Sequence, residues 1–94
     1  MKKDDFEKLI GKTFTFTLKG SEIGQLTLKS TCDYPATGLP NAPEHPFGLD
    51  FAGEKSDFPR ELLEGSAEGM EPFAVSLSPC GQDGDEYHYH VVFN

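Results

Sequence analysis

Two imidazoles stand one residue apart near the end of the chain, in His88-Tyr89-His90. On an extended strand this spacing puts both rings on one face, about 6 to 7 Å apart at the backbone, from where both could reach one metal ion. His45, or an acid from Asp83, Asp85 or Glu86, would have to complete such a site. No third ligand is placed by spacing. Strand alternation alone also sends both histidines outward, opposite Tyr87, Tyr89 and Val91. Two ligands do not make a site. The chain is therefore read as free of metal and cofactor, with His88 and His90 kept as the ligands of an alternative reading.

The other reactive residues lead no further. Cys80 sits in a turn-like segment where a histidine from the next strand could reach it, but Asp83, Asp85 and Glu86 would raise a thiol pKa rather than lower it. Cys32 follows Leu26 and Leu28 in an alternating segment and reads as a small buried filler. Two cysteines are too few for a disulfide scaffold and lack zinc-knuckle spacing, so both are expected as reduced thiols. Asp83-Gly84-Asp85-Glu86 lacks the alternating ligands and distant glutamate of a calcium loop and reads as a hairpin turn. No Gly-x-Ser-x-Gly elbow and no phosphate-cradling glycine loop occurs. The expectation is a protein that is not an enzyme.

Prolines give the most distinctive local pattern. Pro40, Pro43 and Pro46 recur at every third position, the period of a polyproline II turn. With Pro35 they leave residues 34–46 without strand or helix periodicity, an exposed loop that stiff prolines make less costly to order. Loops carried on a rigid scaffold are common sites of partner binding.

These features must be positioned by one small domain over residues 1–94, since 94 residues with seven prolines and ten glycines are too few for two cores. A hydrophobic content of 36% and eight phenylalanines suffice for one core despite a net charge of -8. Sixteen acids against eight Lys and Arg disfavour nucleic acid and anionic membrane as partners. The excess is concentrated late in the chain, because no Lys or Arg occurs after Arg60. Met1-Lys2-Lys3 runs into Asp4 and Asp5 rather than an apolar stretch, and no apolar run has membrane length, so a cytoplasmic location is expected.

The pattern predicts a short N-terminal helix capped by Asp4 and stopped by Gly11, with Phe6, Leu9 and Ile10 inward. Thr13 to Leu18 alternates strictly and pairs as a hairpin with the segment Ile23 to Tyr34. Phe47, Leu49 and Phe51 mark a third strand, Glu61 to Ala67 a fourth, for which a helical turn begun by Pro59 and stopped by Gly65 is the alternative, and two more are centred on Phe73 to Leu77 and Tyr87 to Phe93. The predicted fold is mainly β: a small antiparallel barrel or roll of five to six strands with one short N-terminal helix. The inward residues of these strands form its core, from Phe14 and Phe16 through Phe51 and Phe73 to Tyr89 and Phe93.

Four runs carry a family resemblance. They are Asp-Phe-x-x-Leu-Ile-Gly-x-Thr-Phe from Asp5 to Phe14, Pro-Phe-x-Leu-x-Phe-x-Gly from Pro46 to Gly53, Pro-x-Gly from Pro79 to Gly81, and Tyr-x-x-Val-Phe-Asn from Tyr89 to Asn94. Together they resemble a family of short bacterial proteins known only as a domain of unknown function, whose members are often encoded beside phage-tail collar or tail-fibre-like proteins. The chain departs from the family pattern after Pro59, where a Gly-x-Tyr-x-Leu strand is replaced by Glu61-Leu62-Leu63-Glu64-Gly65; Leu63 takes the tyrosine place. The resemblance implies a non-catalytic binding or assembly accessory for a phage-tail-like or fibre protein. The competing expectation is a metal-dependent small-molecule binder or hydrolase built on His88 and His90. A barrel this small fills its own interior, so a partner with a basic surface is expected on the outside, at Leu39, Pro40, Pro43, His45 and Pro46 and at Asp83, Asp85 and Glu86, with Glu68 and Glu71 adding charge.

Overall fold

A computed structural model describes residues 2–34 and 46–93. Helix α1 (Lys3–Glu7) is followed by β1 (Thr13–Leu18), β2 (Ser21–Asp33), β3 (Phe47–Gly53), β4 (Leu63–Ser66), β5 (Phe73–Val75), β6 (Ser78–Asp83) and β7 (Glu86–Phe93). All seven strands join one antiparallel sheet in the order β5-β4-β1-β2-β3-β7-β6. The two edge strands, β5 and β6, are consecutive in sequence and separated by only Ser76 and Leu77. A flat sheet would hold its edges about 29 Å apart at the usual strand spacing. The link from Val75 to Ser78 reaches at most about 11 Å. The sheet therefore curls into a half-barrel, and Leu77, 1% exposed, turns inward where the edges approach.

Turn chemistry fixes the hairpins. Between β1 and β2, Lys19 and Gly20 both have positive φ (52° and 83°), the form whose twist suits a two-residue hairpin. Between β6 and β7, Gly84 alone takes positive φ, at the first turn position, with Asp83 paired to Glu86. The expected turn at Asp83–Glu86 thus has two central residues, and the segment around Cys80, expected to be turn-like, belongs to a seventh strand, Ser78–Asp83. Every residue of that strand is exposed, so it shows no inward apolar pattern, and Pro79 and Gly81 disguise it further. The strand expected over Glu61 to Ala67 is Leu63–Ser66. Its Gly65 is required by packing: a Cβ there would lie 2.9 Å from the Phe73 ring and 3.1 Å from the Phe16 ring.

The core is one cluster containing the inward residues of the strands, as alternation predicts, with Phe93 partly buried against it. Two phenylalanines from outside the strands complete it. Phe6, fully buried on α1, has ring contacts with Phe14, Phe47, Phe73 and Phe93 at 5.4 to 6.4 Å. Phe58, in the β3–β4 connection, packs edge-on to Phe16 at 5.7 Å and to Tyr89 at 5.2 Å. One ring closes each end of the curled sheet. The helix is shorter than expected: Lys2, not Asp4, precedes it, with the Lys2 N–H donating to the Asp5 carboxylate at 2.9 Å. Ile10 is 45% exposed rather than inward, because the chain leaves the helix after Glu7. Lys3 ties the plug to the sheet through Asp33 at 2.7 Å and pairs within the helix with Glu7 at 3.1 Å, and these bonds hold its ammonium above the usual lysine range.

Truncating either plug should be costly. Phe6→Ala and Phe58→Ala are each expected to lose about 3 to 5 kcal/mol in urea unfolding, whereas Ile10→Ala should stay within about 0.5 kcal/mol. The buried Tyr89 hydroxyl donates to the Lys55 carbonyl at 2.8 Å, and burial raises its pKa above 10.0. A raised folded-state pKa means that the contribution is complete below pH 10 and is lost as pH climbs through the folded value. Tyr89→Phe should cost about 1 kcal/mol at neutral pH, and the gap from wild type should narrow in strongly alkaline solution.

Candidate functional site

The polar side chains that converge lie on the outer face of β2, β3 and β7. Their placement depends on one extra residue. Leu28 pairs with Phe51 but Ser30 pairs with Asp50, so Lys29 is bulged out and the inside-outside alternation of β2 changes phase. Beyond the bulge Ser30 and Cys32 share the outer face with Gly48, Asp50, His88 and His90. Cys32 is thus not the buried filler expected from its spacing to Leu26 and Leu28; it is partly exposed on the opposite face.

These residues form a chain of hydrogen bonds. Asp50 Oδ1 accepts from His90 Nδ1 at 2.7 Å, and its Oδ2 accepts from the Ser30 hydroxyl at 3.1 Å. With Nδ1 as donor, Nε2 is the acceptor, and the Tyr34 hydroxyl donates to it at 2.5 Å. The neighbouring Cys32 thiol, ahead of burial, holds the Tyr34 hydroxyl above the usual tyrosine range. Gly48 makes the convergence possible: a Cβ there would lie 2.8 Å from His90 Nε2 and 2.9 Å from Cys32 Sγ. The cluster joins positions up to 56 residues apart, so no local spacing announces it. The one signal in the sequence is the glycine between Phe47 and Leu49.

His88 and His90 do share the outer face, but they turn to different acids. His88 Nε2 lies 3.4 Å from Glu86 Oε1, while His90 is held by Asp50. Among the described residues no group of three or more His, Cys, Asp or Glu could hold a metal ion. The Cys80 thiol is pushed up first by burial and then by Asp50, rather than by Asp83, Asp85 and Glu86 as its neighbours in sequence suggest.

Of the expected partner-binding residues, Leu39, Pro40, Pro43 and His45 lie outside the described residues. Pro46 is buried and its carbonyl accepts the Tyr34 N–H at 3.0 Å, so this member of the exposed loop is an anchor of the sheet instead. Asp83, Asp85 and Glu86 stand at the other end: β3 pairs Phe47 with Phe93 and Gly53 with Tyr87. Pro46 and the acidic turn are therefore separated by the length of β3, about 20 Å. Glu68 is beside Lys12 and Thr13, apart from the acidic turn.

A family model described as a domain of unknown function (DUF6916) matches residues 1–93. No curated protein and no solved structure matches the chain.

Gly48→Ala tests the outer cluster without touching the core. Its Cβ would displace the His90 ring from Tyr34, with an expected loss of about 1 to 3 kcal/mol in thermal unfolding and a changed imidazole environment by NMR.

Proposed function

The chain belongs to the DUF6916 family, a domain of unknown function, and we propose that it is a non-catalytic binding or assembly accessory protein that works from its outer surface. The observation that carries this reading is the filling of the interior by aromatic rings, with Phe6 and Phe58 at the two ends. Recognition is left to the outside. The partner is a protein with a basic surface, since Glu61–Asn94 contains no Lys or Arg and Asp83 and Asp85 are exposed on a hairpin tip. Binding that reaches from the Pro46 end of β3 to the acidic turn runs along about 20 Å of the sheet, a footprint suited to a fibre-like protein. On this reading the partner is the phage-tail-like product of a neighbouring bacterial gene, met in the cytoplasm before assembly. No helix among the described residues is long and apolar enough to cross a membrane.

Copurification with the product of the adjacent gene is the direct test. A complex should form at low salt and weaken about tenfold or more in Asp83→Asn/Asp85→Asn and in raised salt, as rim charges affect encounter. Pro40→Ser/Pro43→Ser should weaken it in any salt. Capture undiminished by all three changes would place the interface elsewhere. A one-to-one zinc site by calorimetry, abolished in His88→Ala, would replace this reading with the metal-dependent one.

A further inference from the structure

We propose that Cys32 is a reactive thiol, primed by Tyr34, His90 and Asp50 for thiol–disulfide exchange with small disulfides. The proposal calls for one stoichiometric modification, not turnover, and does not depend on which partner the outer face binds. Three observations support it. Cys32 is a partly exposed residue of the outer face. With His90 Nε2 its sulfur converges on the Cβ-less surface of Gly48, and the Tyr34 hydroxyl is bonded to that same nitrogen. The imidazole that ends the chain is fixed through Nδ1 by Asp50, which Ser30 orients in turn.

The connected groups give the thiol proton a route. Cys32 S–H gives its proton to the Tyr34 oxygen as the Tyr34 hydroxyl proton passes to His90 Nε2, and Asp50 stabilises the resulting imidazolium. The thiolate accepts a hydrogen bond from Tyr34 and attacks one sulfur of the disulfide R–S–S–R. A Cys32–S–S–R bond forms as the original S–S bond breaks. The departing RS⁻ takes the proton back from His90 through Tyr34, leaving RSH. No oxidant other than the disulfide is consumed. His90 and Tyr34 handle the proton, whereas Asp50 is a positioning residue. Cys80 is the internal comparison: it too is exposed, but it lacks such a relay, and burial and Asp50 push its thiol up.

Stopped-flow reaction of the reduced protein with a chromogenic aryl disulfide tests the proposal. Two phases are expected, one equivalent each, with the faster about tenfold or more ahead. Cys32→Ser should remove the fast phase and Cys80→Ser the slow one. Tyr34→Phe and His90→Gln should each slow the Cys32 phase about tenfold or more, with folding checked by circular dichroism. Their rates should climb with pH more steeply than that of the wild type, like a bare thiol. Asp50→Asn should slow the phase and change the pH profile in the same direction. Equal rates for the two cysteines, or a Cys32 rate and pH profile unaltered in folded Tyr34→Phe and His90→Gln, would overturn the assignment.

Discussion

The short link between the two edge strands governs this fold. Because Ser76 and Leu77 are all that joins β5 to β6, the seven strands have to bend until the first and last edges approach. Bending of that kind creates an inside narrow enough for one layer of rings, and the rings then decide the rest. Phe14, Phe16, Phe51 and Phe73 meet largely edge to face, at 5.1 to 6.1 Å, an arrangement favoured by aromatic quadrupoles. What remains open are the two ends, each closed by a residue from a segment with little structure of its own. A helix of five residues could not persist in water. It is held by the burial of Phe6, so local structure here follows from tertiary packing.

Strict alternation made β1, β3 and β7 legible from the sequence, because large apolar residues recur at every second position and all point inward. The same rule failed wherever register broke. In β2 the bulge at Lys29 changed the face of Cys32 and Ser30, and bulges leave no mark in hydropathy. In β6 no residue is buried, so a method that reads apolar spacing had nothing to read. Phe58 escaped because it acts as a lone plug between strands, where no period exists to include it. Gly65 had looked like a departure from the family pattern; packing shows it filling a gap between two rings where only hydrogen fits.

The chemistry of the outer face was the least legible part. His88 and His90 drew notice as neighbours in sequence, yet they turn to different carboxylates. The cluster that does form takes one or two residues from each of three strands, with Tyr34 just past the end of β2. Asp50 and Cys32 were anonymous in sequence, one polar residue in an alternating strand and one small residue beside threonine. Their meeting depends on pairing register, on the bulge, and on a glycine that lets an imidazole lie against the sheet. Register is a long-range property, and one sequence carries little direct record of it.

The exposed edge formed by β6 has a consequence for behaviour at high concentration. A sheet with a free border invites another chain to add itself, and a half-barrel has two such borders. On β6, Pro79 lacks a donor, the register slips between Pro79 and Gly81, and Asp83 adds charge near the end. On β5 the border is only three residues long. Uncontrolled stacking of copies is thereby discouraged on both sides.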